Sequence, residues 1–431
     1  MKRIITEIFI EWKEKPNHKP LLIRGARQVG KTFSVLEFGK NYFSGNIHNI
    51  NFERNPEISY VFEYNLDSNR IISELELILN RKIVKGKDLL FFDEIQECPN
   101  ALKSLRYFYE QNPDLHVIAA GSLIEFALQD ISFPVGRIQV LSMYPLNFEE
   151  FLLARGKELI IEKLKKPYEK LSQTIIDIIN NELFTYFIIG GMPECVKTFI
   201  DTNSFTESIN IQSDLILTFR QDFSKYAKYS DKRCLNSVLY SVAQNVGNQI
   251  KYSHLAEDFS NPTIKKAYNL LETAKLFTTV KAASPAGIPL GANVSEKKFK
   301  SIFLDIGLLS NLNGFYSNKL IMKQKMKAVF NGMLAEQFVG QELRVKTNEN
   351  LYYWSRDARG SNAEVDFLME KGSEIFPIEV KSGKSGRLRS LYMLLDTFPN
   401  IDYAYVFNED KYGELENGKI KFLPLFYAGF I

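Results

Sequence analysis

Residues 25–32 read GARQVGKT, from Gly25 through Arg27, Gly30 and Lys31 to Thr32. A short apolar run, Leu21 to Ile23, precedes them, and a helix-like pattern follows. The spacing G-x-x-x-x-G-K-[ST] between a strand and a helix is that of a loop that cradles phosphate. Its glycines let the chain turn so that backbone N–H groups point at phosphate oxygens. The helix that begins there adds the positive end of its dipole. In this reading Lys31 reaches the β and γ phosphates, and the Thr32 hydroxyl holds Mg²⁺. ATP and Mg²⁺ are therefore the expected ligands.

Such a loop needs acidic groups on a neighbouring parallel strand. The stretch KDLLFFDEIQ supplies four apolar residues, Leu89 to Phe92, and then Asp93 and Glu94. A continuous apolar run marks a strand buried on both faces. Asp93 is expected to act on Mg²⁺, and Glu94 to polarise the attacking water. The next strand, LHVIAAGS, ends in Gly121-Ser122, where Ser122 either senses the γ-phosphate or caps a turn. NIHNINFE, residues 46–53, reads as a further strand. In an open parallel sheet the ligand binds at the carboxyl ends of the strands, where all these residues fall.

The whole chain has 431 residues, which suggests two to four domains at about 100–200 residues each. Hydrophobic residues make up 45% and charged residues 24%, so each domain can bury a core. The net charge of +3 argues neither for nor against a nucleic-acid partner, so any basic patch must be local. Cys98, Cys195 and Cys234 are far apart, and the four histidines, His18, His48, His116 and His254, form no metal-binding spacing. The amino-terminal MKRIITEIFIEWKEK carries Glu7 and Glu11 and makes a poor signal peptide. No apolar run approaches the ~20 residues of a membrane helix. The expectation is a reduced, soluble, cytoplasmic protein without a membrane partner.

GARQVGKT, FFDEIQECP, IAAGS and PVGRIQVLSMYPLNFEEF occur in that order. Together they resemble a family of prokaryotic ATPases of the AAA superfamily, over about residues 18–155. The resemblance implies an arginine, Arg137, that meets the γ-phosphate of its own chain or of a neighbour in an oligomer. The other reading of Arg137 is a structural pair with a carboxylate. Arg27, inside the loop, is a weaker candidate for the γ-phosphate role.

Residues 151–230 read as helices with no catalytic cluster, running into GGMPE at Gly190-Gly191. A lid over the nucleotide is the natural role. Residues 231–290 show a helix, a short helix and a third helix after Asn261 with Pro262 in its first turn, followed by two strand-like runs. That order matches a winged helix, whose Lys265 and Lys266 could meet phosphates. AASPAGIPLGANVS, residues 282–295, is the best linker or else the wing.

The carboxyl-terminal third carries a second constellation. Glu336 lies in the helical GMLAEQFVGQEL, Glu364 and Asp366 in the strand-like AEVDFLME, and Glu379 and Lys381 in IFPIEVKSGK. Strand alternation puts Glu379 and Lys381 on one face. If the two strands pair, Asp366 approaches both. Carboxylates grouped in this way bind Mg²⁺, and a nearby lysine can orient the attacking water. The order resembles the restriction-endonuclease-like superfamily, which implies Glu336, Asp366 and Glu379 as metal ligands and Lys381 as a catalytic residue. Pro377 departs from it and places the strand at an edge or bulge. A basic run, Lys381, Lys384, Arg387 and Arg389, follows.

The expected architecture is α/β and multidomain. A parallel-sheet ATPase core spans 1–150, a helical lid 151–230, a winged helix 231–290 and a restriction-endonuclease-like domain 291–431. Two functions are open: ATP hydrolysis coupled to action on DNA or RNA, or a nucleotide-controlled switch that binds a protein partner through an inactive nuclease-like domain. A metabolic kinase fits less well, because a glutamate that activates water suits hydrolysis better than transfer.

Overall fold

The computed structural model describes the chain apart from residues 123, 130–135, 167, 169, 227–229, 316–331, 357–362, 382–387 and 409–411. Lys384 and Arg387 of the basic run, and Pro134 and Val135 of PVGR, lie outside the described residues. The chain forms two compact units, Met1–Tyr144 and Pro145–Ile431.

The first unit holds the strands β1 Leu21–Arg24, β2 Ile47–Asn51, β3 Leu89–Asp93, β4 His116–Ala120 and β5 Gln139–Ser142. They form one parallel sheet in the order β2-β3-β4-β1-β5. The helices are α1 Ile5–Glu14, α2 Lys31–Tyr42, α3 Ser68–Leu79, α4 Pro99–Gln111 and α5 Ile124–Gln129. Every residue of β3 and β4 is buried, as continuous apolar runs require. Phe92 of β3 centres one core, with the rings of Phe52, Phe62 and Phe108 at 5.8, 5.7 and 5.8 Å. Such tilted contacts suit the aromatic quadrupole.

Gly25 leaves β1 with φ +150°, and a Cβ there would stand 2.1 Å from the Met143 carbonyl oxygen. Only glycine lets the loop start so close to the end of β5.

The second unit begins with helices: α6 Phe148–Ala154, α7 Glu158–Leu164, α8 Gln173–Ile189, α9 Pro193–Thr202, α10 Phe205–Tyr226, α11 Lys232–Gln244 and α12 Asn261–Thr273. Asn147 and Glu150 close a capping box at α6, satisfying two helix N–H groups. An eight-stranded sheet follows, built from β6 Phe277–Ala283, β7 Val294–Phe303, β8 Leu351–Ser355, β9 Glu364–Lys371, β10 Glu374–Val380, β11 Ala404–Asn408, β12 Gly413–Leu415 and β13 Ile420–Pro424. Its order is β12-β13-β11-β10-β9-β8-β6-β7. Helices α13 Ile306–Leu312, α14 Gly332–Thr347 and α15 Arg389–Thr397 are interleaved with it in sequence.

The GGMPE segment has a structural cause. Gly190 ends α8 at φ +73° and ψ −168°, a region open essentially to glycine alone. A Cβ there would meet Asp305 Oδ1 at 2.1 Å. Asp305 is fully buried and accepts from Gly191 N at 2.6 Å and from Leu308 N at 3.1 Å, which caps α13. Burial pushes its carboxyl up to about 6, against the pull of these donors. Asp305 thus ties α8 to α13.

Three expectations change here. The 282–295 stretch, read as a linker or else a wing, is the connection of the β6–β7 hairpin: Ala282 pairs with Ser295 and Ala283 with Val294. The helix, short helix, helix and hairpin order is present, but β6 also pairs in parallel with β8. The boundary at 290/291 therefore falls inside one sheet, and that at 150/151 falls inside α6. Lastly, β10 is an interior strand between β9 and β11. Pro377 is tolerated because the ladder to β11 starts only at Ile378.

Candidate functional site

The phosphate loop turns between β1 and α2 through two left-handed residues, Gln28 at φ +64° and Gly30 at φ +94°. No side chain caps the first turn of α2, so its N–H groups stay available to phosphate oxygens. The Lys31 ammonium folds back over the loop and donates to the carbonyls of Gly25 at 3.0 Å and Ala26 at 2.8 Å. Burial lowers its pKa to about 8, although Glu94, Asp93 and Glu125 work the other way.

Across the carboxyl edge of the sheet, Thr32 Oγ1 donates to Asp93, with Oδ1 at 3.0 Å and Oδ2 at 3.1 Å. Asn51 Nδ2, at the end of β2, donates to Asp93 Oδ2 at 2.9 Å. Burial raises the Asp93 pKa, and the Thr32 and Asn51 bonds oppose that rise. A hydroxyl oxygen and a carboxylate held this close are hard oxygen donors of the kind Mg²⁺ takes.

Glu94 lies just past β3 in a left-handed conformation, φ +50°. Gln96 Nε2 donates to Glu94 Oε2 at 2.7 Å, and Ser122 Oγ stands 3.5 Å from the same oxygen. Arg27 Nε donates to Ser122 Oγ at 3.3 Å. Gly121 makes room for this chain of contacts, since a Cβ there would lie 2.1 Å from Gln96 Oε1. The structure thus gathers Gly25, Arg27, Gly30, Lys31, Thr32, Asp93, Glu94 and Ser122 at one edge. Asn51 and Gln96 join them without having been expected. Gln96 belongs to the DEIQ motif itself, so its signal was present, whereas Asn51, inside the predicted strand 46–53, had none of its own.

Arg137 is not brought there. It precedes β5, at the amino-terminal end of the strands, and donates to Glu110 Oε1 at 3.0 Å. Glu110 closes the last turn of α4, which has run back from the carboxyl edge. The expected contact with the γ-phosphate of its own chain is corrected on this ground. Only a nucleotide on a second copy remains open to it.

In the second unit, the register that pairs Phe367 with Ile378 continues to set Asp366 beside Glu379. Asp366 Oδ2 accepts from Val380 N at 2.8 Å, and Lys381 Nζ bonds to Glu379 Oε1. The expected residues therefore converge, but around a cation that the sequence did not single out. Lys300 of β7, 1% exposed, bonds to Glu364 and lies 2.9 Å from Glu336 Oε1 and 3.7 Å from Asp366 Oδ1. Its ring neighbour is Tyr353, at 5.1 Å. Burial works against the Lys300 charge, yet Glu336, Asp366 and Glu364 outweigh it and hold the ammonium above its ordinary range. Burial also pushes Glu336 up to about 8 and Glu379 up to about 7, with Asp366 adding to both.

The Lys300 ammonium thus lies among Glu336, Glu364 and Asp366. Among the described residues, no group of three or more His, Cys, Asp or Glu is arranged to hold a metal ion. Glu336, Asp366 and Glu379 are thus brought together with two lysines, Lys300 and Lys381.

A five-stranded parallel sheet with an uncapped helix behind a GxxxxGKT loop, and an Asp-Glu pair two strands away, defines a phosphate-loop nucleotide-binding domain. Residues 17–152 match the family model described as an AAA domain, which supports nucleotide binding by this part of the chain. Residues 180–319 and 331–426 match two domains of unknown function, DUF8612 and DUF4143. An uncharacterized protein of Methanocaldococcus jannaschii is 26% identical over 367 residues, covering 84% of this chain and 74% of that one. An uncharacterized protein of Haemophilus influenzae is 26% identical over 387 residues, covering 83% and 81%. Among solved structures, a Walker-type ATPase of Pyrococcus abyssi is similar at TM-score 0.46 and 14% identity, covering 72% of this chain and 94% of that one. AMPPCP-bound DnaA from Aquifex aeolicus is similar at TM-score 0.30 and 15% identity, covering 63% and 88%. No helix among the described residues is long and apolar enough to cross a membrane.

Proposed function

We propose that the chain is an ATP hydrolase in which Glu94 is the general base. The observation that carries this reading is the joining of Thr32, Asp93, Glu94 and Ser122, from three separate segments, along one sheet edge. The N–H groups of the loop and α2 bind the β and γ phosphates, and Lys31 turns from the loop carbonyls to the phosphate oxygens. Thr32 and Asp93 would hold Mg²⁺, which would supply neutralisation of the charge that develops on the phosphates. Glu94 accepts a proton from the water that attacks the γ-phosphate. Ser122, to whose hydroxyl Arg27 donates, stands 3.5 Å from Glu94 Oε2. Gln96 competes for the Glu94 carboxylate and holds it in place until nucleotide is bound. Steady-state ATP turnover by the unmodified chain, compared with Lys31→Ala, is the basic test. Equal phosphate release by the two would overturn the assignment.

For the second unit we favour a switch that engages a partner over a nuclease. Support comes from Lys300, whose ammonium already pairs with Glu336, Glu364 and Asp366 and offsets their charge. Incubation with Mg²⁺ or Mn²⁺ and single- and double-stranded DNA and RNA should give no cleavage. Cleavage that Lys381→Ala abolishes would restore the nuclease reading.

A further inference from the structure

A cavity of about 330 Å³ opens where the β6–β7 hairpin, the end of β8 and the end of α15 meet. This is near the lower end of the ~300–1,000 Å³ found for small-ligand sites. Lys298 and Arg356 stand on its wall, Trp354 and Phe398 give it apolar surface, and Ser295 and Thr397 supply hydroxyls. No carboxylate among the described residues lines it.

The first cation is put there by an irregularity of the sheet. The register of β6 with β7 jumps from Lys281↔Phe299 to Ala282↔Ser295, so residues 296–298 bulge out of the regular ladder. A bulge of this kind re-aims side chains. Lys298 is thus carried to the cavity, while Lys300, two residues on, goes to the carboxylate cluster. The second cation, Arg356, is exposed, and among the described residues its guanidinium donates to Met393 Sδ at 3.4 Å. A thioether is a weak acceptor. A planar fork of five donors suits an anionic oxygen group. The aromatic wall is built rather than incidental: the Trp354 and Phe398 rings meet edge to face, 6.3 Å apart at 87°.

We propose that this cavity binds one nucleoside phosphate, with the phosphate on Lys298 and Arg356 and the base against Trp354 and Phe398. Inorganic phosphate alone would leave the aromatic wall without a role, whereas a base uses it through its π-face. The source is a free mononucleotide or the phosphorylated end of a single strand. The site is separate from the phosphate loop and from the Lys300 cluster, and it stands whether or not Glu94 is the hydrolytic base.

The test is calorimetric titration of the full chain carrying Lys31→Ala, which keeps the phosphate loop from competing. The probes are thymidine 5′-monophosphate and a 5′-phosphorylated oligothymidylate. Saturable binding is expected for at least one, weakened about tenfold or more by Arg356→Ala and by Lys298→Ala, as removal of a charge-assisted bond should do. Both side chains are at least partly exposed, so circular dichroism should show the fold intact in each variant. Binding of the mononucleotide identifies the free source, and binding of the oligonucleotide alone identifies a strand end. No saturable binding of either probe, or binding that both substitutions leave unchanged, overturns the proposal. So does inorganic phosphate binding as tightly as the mononucleotide.

Discussion

Lys300 Nζ lies 2.9 Å from Glu336 Oε1 in the interior of the second unit, joining the last strand of a hairpin to a helix 36 residues later. Glu364 and Asp366 complete the ring around the same ammonium. Four carboxylates, including Glu379, thus share two lysines. Removing the central cation should leave uncompensated buried charge, at a cost of about 3–5 kcal/mol. Lys300→Met is expected to lower the denaturant midpoint strongly. A midpoint unchanged from the unmodified chain would show that the cluster is not held by this ammonium.

The pH response of the cluster has a defined sign. Burial raises the Glu379 carboxyl to about 7 in the folded chain, above the ~4.3 of an unfolded glutamate. An acid raised on folding stabilises below its unfolded pKa, and that stabilisation is lost as pH rises toward the folded value. Glu379→Gln should therefore gain stability relative to the unmodified chain between about pH 5 and about pH 8. Unfolding curves of both across that window check this, and parallel pH profiles would contradict it.

Lys31 makes the nucleotide site sensitive from the alkaline side. Its buried ammonium, with a pKa of about 8 in the empty loop, is charged below that value and neutral above it. The Kd for ATP should rise once pH passes about 8, and Lys31→Arg, whose cation persists, should show a flatter profile. Titrations from about pH 6.5 to about 9.5 decide the point. Identical slopes for the two would remove Lys31 as the cause.

Gly190→Ala tests the junction of α8 and α13. The new Cβ meets both a forbidden backbone region and Asp305 Oδ1, so a loss of about 1–3 kcal/mol or more is expected. Thermal unfolding measures it. Gly156→Ala, also at positive φ but with open space around its Cβ, provides the contrast and should cost less.

The nucleotide site was legible because its chemistry is written in contiguous motifs. GARQVGKT must turn, present N–H groups and carry Lys31 and Thr32 within eight residues, and the apolar run before Asp93 declares a buried strand. Asn51 was less visible, since a strand-end amide has no spacing of its own and acquires a role only when β2 pairs with β3. Arg137 shows the converse: a resemblance carried the residue to the γ-phosphate, but its place before β5 puts it at the opposite strand ends.

The carboxyl-terminal cluster was legible in part. Alternation along β9 and β10 brought Asp366, Glu379 and Lys381 together as expected. Lys300 was hidden because it enters from β7, separated from β9 in the sheet by β6 and β8, and its alternation resembles that of any exposed lysine. The hairpin that carries it reads as a separate wing until β6 pairs with β8. Long-range pairing of this kind leaves no local signature, so the boundary at 290/291 had no reason to look wrong.

Glu94 carries the central claim, and single-turnover hydrolysis by Glu94→Gln tests it most directly. Gln keeps the size and the hydrogen-bonding reach of the side chain while removing its basicity. The variant should bind ATP as tightly as the unmodified chain and release phosphate about 10²–10⁴-fold more slowly, the usual contribution of a positioned general base. Hydrolysis at the original rate, with ATP affinity intact, would contradict the account.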